Sequence, residues 1–238
     1  MNQKIVIILP TYNERENLPG IIRGIFGIGA QDLRVIVVDD NSPDGTGRVA
    51  DELSRADNRI TVLHRQKKAG LGRAYIAGFH AALADPEAEY IFEMDADFSH
   101  QSKYIPGFLS KARGADLVLG SRYIAGGGVE NWSWMRHAIS WCANWTIKLI
   151  LGVGVTDLTG GYKCFHRRVL ERLDLDTVES NGYNFQIEVT YRALKAGFSV
   201  VEIPIVFLER RAGQSKFSVK IMFESFWRVL KLKSQTKK

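Results

Sequence analysis

Residues 88–97, AEYIFEMDAD, run from an apolar, β-rich stretch directly into two aspartates. Four further runs have the same strand character: 4–10 (KIVIILP), 33–40 (LRVIVVDD), 59–65 (RITVLHR) and 115–121 (ADLVLGS). Each is apolar enough to be buried on both faces, the mark of a strand covered by helices on either side. Between them, 14–26, 44–54, 71–83 and 102–113 carry helical periodicity. The alternation predicts an α/β fold built on a mostly parallel sheet with right-handed crossovers. A Trp-rich segment (131–152), a helix near 184–196, short strands near 199–210 and a last helix from about residue 215 complete the chain.

The 238 residues, 45% hydrophobic and 24% charged, have the composition of a globular protein, which excludes disordered and fibrous classes. Cys142 and Cys164 are too few for a disulfide framework and suit a reducing compartment. Residues 1–10 are too short for a signal peptide, and the apolar stretches at 147–155 and 221–232 are too short and too charged to span a bilayer. The net charge is +6, but residues 210–238 hold nine Lys/Arg against the single acid Glu224, so the basicity belongs to the tail.

Three polar clusters follow strands: PTYNE (10–14), VVDDNSPDGT (37–46) and EMDADFS (93–99). In an open α/β sheet ligands bind beyond the carboxyl ends of the strands, so the three converge on one crevice. No Walker or zinc-protease motif occurs, and Tyr75 stands where the dinucleotide fingerprint of 70–75 requires glycine.

Asp95 and Asp97, at i and i+2 of an extended segment, point the same way. Two charges about 6 Å apart at an effective dielectric near 20 repel by about 3 kcal/mol. A divalent cation, Mg²⁺ or Mn²⁺, removes that cost while holding a diphosphate; the alternative is a turn in which one aspartate caps the next helix. Pro10, Tyr12 and Glu14 offer a rigid strand end, a stacking ring and an acceptor for a base, or else an ordinary helix start with acid in its first turn. Of Asp39 and Asp40, one takes a ribose hydroxyl and the other braces the turn that follows. Lys67–Gly72 reads either as a phosphate-attracting turn or as a solvated loop.

Together PTYNERENLP, VVDDNSPDGT, KAGLGRAYIAGF, MDADFSH, GSRYIAGGGVENW, DLTGGYKCF and RRAGQSK resemble the polyprenyl (dolichyl) phosphate mannose synthases, inverting family 2 glycosyltransferases of Rossmann-like GT-A fold. The resemblance covers residues 5 to about 216, and GSRY, GGGVENW and DLTG carry it beyond the broad glycosyltransferase family. It implies a catalytic domain over 1–214 and a basic amphipathic membrane-interface helix over 215–238. It further implies that Pro10, Tyr12, Glu14, Val38 and Asp40 bind the guanine nucleoside of GDP-mannose. Asp95, Ala96 and Asp97 would hold the diphosphate, with Asp95 and Asp97 on the metal. Arg122, Arg210 and Lys216 would meet phosphate or sugar, and Asp97 and Arg122 are the residues expected to be catalytic. Two departures stand out: Ser99 replaces a Gln found in some members, and His100-Gln101-Ser102 replaces the usual H-x-P, which leaves metal preference open.

A lipid monophosphate is mostly ionised at pH 7, with a second pKa near 6, so its attack needs cations rather than a general base. Arg122 and Arg136 are the candidates for the acceptor phosphate; solvated surface arginines are the alternative. Trp132, Trp134, Trp141 and Trp145 beside Arg136 and Lys148 have the composition of an interfacial element, or of a helix packed on the sheet edge. The tail places Val219, Met222, Phe223, Phe226 and Leu230 opposite Lys220, Arg228, Lys231 and Lys233, a pattern for an anionic membrane rather than nucleic acid. The expected setting is cytoplasmic, peripheral on the cytoplasmic face of a membrane, with a small membrane-spanning partner subunit left open. Two rival readings remain: a sibling enzyme using another donor such as UDP-glucose, and a non-catalytic sugar-nucleotide-binding subunit.

Overall fold

The computed structural model describes residues 4–209 and 219–235. The strands are β1 (Lys4–Thr11), β2 (Leu33–Asp39), β3 (Ile60–His64), β4 (Ala88–Glu93), β5 (Leu117–Ser121), β6 (Gly128–Glu130), β7 (Lys163–His166), β8 (Val200–Pro204) and β9 (Val206–Leu208). The helices are α1 (Leu18–Phe26), α2 (Thr46–Ala56), α3 (Leu71–Leu83), α4 (Ile105–Ala112), α5 (Trp134–Leu151), α6 (Arg167–Arg172), α7 (Tyr183–Lys195) and α8 (Val219–Gln235). Seven strands form one sheet in the order β3-β2-β1-β4-β7-β5-β8, and β6 pairs with β9 beside it.

Side chains along β1 alternate with period two between two cores, one on each face of the sheet. Val6 and Ile8 join the core under α3, whereas Ile5, Ile7 and Leu9 join the opposite core under α1. Helix α3 lies close on the sheet at Gly78, where a Cβ would come within 2.4 Å of Ile8 Cγ2.

The expected mostly parallel sheet is present, but β7 was not foreseen. It runs antiparallel to both β4 and β5, pairing Glu93 with Lys163 and Leu119 with Lys163. Its sequence, KCFH, is short and opens on a lysine, which conceals a strand whose Lys163 and Cys164 are fully buried. Because β1, β2 and β4 are mutually parallel and β7 opposes both β4 and β5, the ends of β1, β2, β4 and β5 share one edge. Two strand spacings, about 10 Å, separate the end of β4 from that of β5.

Helix α1 starts at Leu18 rather than at residue 14. Asn13 takes a positive φ of 63° and Pro19 occupies the first turn, which fixes the start of the helix there. No acid lies in the first turn of α1, but the Glu14 carbonyl accepts from Asn17 N (3.1 Å) and Leu18 N (2.9 Å), so Glu14 leads into the helix as the helix-start reading expected. Helix α5 buries Asn144, Ile147 and Leu151 and leaves Trp134, Met135, Trp141, Trp145 and Leu149 exposed. Helix α8 packs on α5 and α7. Its Val229 and Leu232 enter the core beneath the sheet, while Phe226 and Trp227 stay exposed, so the buried face is offset from the one expected.

Candidate active site

At the end of β2 the two aspartates divide their work. Asp39 Oδ1 accepts from Thr11 Oγ1 (3.1 Å) and Ser42 Oγ (2.5 Å), and its Oδ2 accepts from Ser42 N (3.1 Å), which ties the following turn to β1. Asp40, 4% exposed, is bound by Arg65 and by the backbone N–H groups of Ala69 (3.2 Å) and Gly70 (3.3 Å). The amides of Ala69 and Gly70, just ahead of α3, are thus taken by this chain's own carboxylate. Asp40 therefore braces the loop after β2 and has less freedom than expected to meet a ligand. Tyr12 presents a half-exposed ring with Lys68 Nζ 3.4 Å from its centroid, and Glu14 Oε2 accepts from Asn17 Nδ2 at 2.7 Å. Pro10 and Val38 face each other in the β1–β2 register, Val38 fully buried.

The acidic pair lies just past β4, which ends at Glu93; the chain bends from Ala96 onward, and Phe98 has φ +64°. Asp95 Oδ1 accepts from the Tyr75 hydroxyl (3.0 Å), and its backbone N–H donates to His100 Nδ1 (2.9 Å). His100, stacked on Tyr162 and 3% exposed, is a positioning residue that sequence reasoning set aside. Asp97 Oδ1 accepts from Ser99 N (3.0 Å) and Ser99 Oγ (2.5 Å), so Ser99 closes the turn. Burial, with the charges of Asp95, Glu93 and Asp97, pushes the Tyr75 hydroxyl well up, and all three acids therefore bear on one spot.

This donor set fits a hard divalent cation. It is made of oxygens, and it stands in a field of concentrated negative charge. No group of three or more His, Cys, Asp or Glu converges among the described residues, so other ligand positions would fall to a diphosphate and water, as is usual for Mg²⁺.

Beneath the turn, Lys163 Nζ lies 3.7 Å from Glu93 Oε2 and donates to the carbonyl of Gln186 (3.0 Å) and to its side-chain oxygen. Glu93 and Lys163 are both fully buried, and the Glu93 carboxylate makes no hydrogen bond among the described residues. Burial, with help from Asp95, pushes the Glu93 carboxyl up to about 7 against the opposing pull of Lys163 and Gln186. A carboxyl raised by folding holds its proton longer in the folded state. Its stabilising effect is full below the ordinary value of 4.5 and is lost as pH rises through about 7. The stability of wild type to urea should therefore fall between about pH 4.5 and pH 7, and Glu93→Gln should flatten that slope. An unchanged slope in the variant would assign it to other groups.

Beyond β5, Arg122 is 6% exposed and clamped by fully buried Asp157. Nε and Nη2 donate to Asp157 at 2.7 Å each, the Arg122 backbone N–H donates at 3.0 Å, and Nη2 also reaches Thr159 Oγ1 at 2.8 Å. Arg122 is therefore no solvated surface arginine. Its Nη1 edge makes no hydrogen bond among the described residues. Arg136 pairs with Glu209 and lies 4.1 Å over the ring of Trp132, which is 5.7 Å from the Arg122 guanidinium. One indole thus stands between the two arginines. Arg210 and Lys216 fall outside the described residues. Asp157 lies in the quoted DLTGG stretch, but nothing in that stretch says that its partner is 35 residues away.

The carboxyl edge of the mostly parallel sheet thus gathers the exposed ring of Tyr12, an acidic turn after β4 and, beyond β5, two arginines. Residues 6–174 match the family described as Glycosyl transferase family 2. The chain belongs to that family. A polyprenol monophosphomannose synthase of Mycolicibacterium smegmatis is 49% identical over 229 residues, covering 95% of this chain and 86% of that protein. An undecaprenyl-phosphate mannosyltransferase of Micrococcus luteus is 44% identical over 222 residues, covering 93% and 90%. A crystal structure of Mycobacterium tuberculosis glucosyl-3-phosphoglycerate synthase with Mn²⁺, UDP-glucose and phosphoglyceric acid matches with a TM-score of 0.69 at 17% identity, covering 98% of this chain and 80% of that one. At that identity the likeness concerns the fold alone, and the fold is the GT-A type that the family resemblance implied.

Proposed function

We propose that this chain transfers mannose, with inversion, from GDP-mannose to a polyprenyl phosphate at a membrane surface. The observation that carries the reading is 49% identity, along nearly the whole chain, to a polyprenol monophosphomannose synthase. The geometry adds support: the acidic turn lies between an aromatic pocket at Tyr12 and an arginine pair at Arg122 and Arg136, the order that donor base, diphosphate and acceptor phosphate require.

In this reading Tyr12, with Pro10, Val38 and Glu14, receives the nucleoside, and Asp40 holds the loop that closes over it. Ala96 lies between Asp95 and Asp97, which hold the diphosphate with Mg²⁺ or Mn²⁺. Bound there, such an ion neutralises the departing diphosphate. Arg122 Nη1 and Arg136 orient the lipid phosphate, and Arg210 and Lys216 add charge at the leaving group. An oxygen of the ionised acceptor attacks C1 of the sugar, the bond from C1 to the diphosphate oxygen breaks, and GDP departs. No proton has to move, so none of the histidines is needed as a base.

Among the described residues no helix is long and apolar enough to cross a membrane. Helix α5 leaves Trp134 82%, Trp141 49% and Trp145 53% exposed, and α8, which packs on α5, exposes Phe226 and Trp227. Aromatic residues at this density beside Arg136 and Lys148 suit the interface of a bilayer. Calorimetric titration tests the donor: GDP with Mn²⁺ should bind at least about tenfold more tightly than UDP, a difference of ~1.4 kcal/mol. Equal or reversed affinities would move the reading to another donor.

A further inference from the structure

We propose that Thr159 and Asn144 are positioning residues that couple the aromatic-faced helix α5 to Arg122 and thereby set affinity for the acceptor phosphate. The inference rests on the reading of Arg122 as the acceptor arginine. Thr159 Oγ1 receives Arg122 Nη2 at 2.8 Å and Asn144 Nδ2 at 3.0 Å, and it donates to Asp157 Oδ1 at 3.4 Å. One hydroxyl with two acceptor sites and one proton is thereby fully used.

Asn144 is equally committed. Its Oδ1 accepts from Leu158 N (3.0 Å) and Thr159 N (3.2 Å), and its Nδ2 donates to Ser140 O (3.1 Å) as well as to Thr159. All four of its hydrogen-bonding positions are filled, and reversing the amide would set its NH₂ against two backbone N–H groups. Asn144 is 2% exposed, so this network works in a low dielectric, where it holds geometry firmly. One turn earlier on α5, Ser140 Oγ accepts from the hydroxyl of Tyr123, the neighbour of Arg122.

Helix α5 therefore grips the segment before β7 through Asn144 and, one turn earlier, the segment after β5 through Ser140. On its other side it exposes Trp141 and Trp145, which bracket Asn144 in the sequence. Asp157 fixes the Nε–Nη2 edge of the guanidinium, whereas the Thr159 hydroxyl, which also takes Nη2, links the direction of Nη1 to the seat of α5. A helix packed only for the core could place an apolar residue at position 144, as it does at Ile147 and Leu151.

The test uses the full chain, labelled GDP-mannose and a polyprenyl phosphate, with GDP titration and thermal melts beside the kinetics. Thr159→Val, which keeps the side-chain shape, should raise the acceptor KM about five- to tenfold, the net worth of one ordinary hydrogen bond. GDP affinity should stay within about twofold, and Thr159→Ser, which restores the hydroxyl, should return the acceptor KM to within about twofold of wild type. Asn144→Ala should raise the acceptor KM in the same direction. An unchanged acceptor KM in Thr159→Val, a parallel loss of GDP affinity, or a Ser variant as impaired as Val would each overturn the coupling. A wild-type protein that transfers nothing to polyprenyl phosphate would overturn the functional reading and this inference with it. A wild type that transfers while Thr159→Val keeps its acceptor KM removes the coupling alone.

Discussion

Asp97→Asn should lower sugar transfer by at least about a hundredfold, ~2.7 kcal/mol of transition-state stabilisation, while the circular dichroism spectrum stays that of wild type. The substitution keeps an oxygen able to accept from Ser99 N and Ser99 Oγ, the two bonds that close the turn. What it removes is one negative charge from the acidic turn. The neighbouring pair Glu93 and Lys163 lies on β4 and β7 and does not depend on that charge. Loss of activity with an intact fold would assign Asp97 to the diphosphate and its cation. A variant that kept more than about a tenth of wild-type turnover would remove it from that role.

Asp157→Ala should cost about 3–5 kcal/mol of stability in urea denaturation, because it strands the Arg122 guanidinium in a buried site. Burial by itself would raise the Asp157 carboxyl, but the charge and hydrogen bonds of Arg122 outweigh it and hold the group below the usual carboxylate range. A depressed carboxyl contributes stability above its ordinary value, 3.8, and loses it as pH falls through the lower folded value, so the pair is intact at neutral pH. Arg122→Ala should be similarly costly, because it leaves the buried Asp157 charge unpaired. Replacing both partners by apolar residues of like volume should recover most of that stability but none of the acceptor binding. A loss below about 1 kcal/mol in Asp157→Ala would mean that the pair is effectively solvated.

Much of the scaffold was legible because its strands are buried on both faces. Once past Lys4, Arg34 and Glu89, the runs Ile5–Leu9, Val35–Val38 and Tyr90–Phe92 are unbroken and apolar and lead straight to the polar clusters, so strand and site announce each other. Helix α3 was placed at its observed bounds, since Gly70 and Leu71 mark its start plainly. Strand β7 was illegible because Lys163, a residue that normally signals solvent, is paid for in the core by Glu93 and Gln186. The roles of Asp40 and Arg122 were only half legible for a related reason. Their partners, Arg65 with the amides of 69–70 and Asp157 with Thr159, lie 25 to 37 residues away and leave no local pattern. His100 escaped notice because its work is done by a ring nitrogen accepting one backbone N–H, which no spacing rule records.

The measurement that tests the central claim most directly is transfer itself. The full chain would be incubated with labelled GDP-mannose, a polyprenyl phosphate and Mg²⁺ or Mn²⁺, and the label followed into the organic phase. The account predicts a labelled polyprenyl phosphomannose of inverted anomeric configuration, formed only with a divalent ion present and not from UDP-glucose. Label that stays with the nucleotide, a product of retained configuration, or faster transfer from UDP-glucose would contradict it.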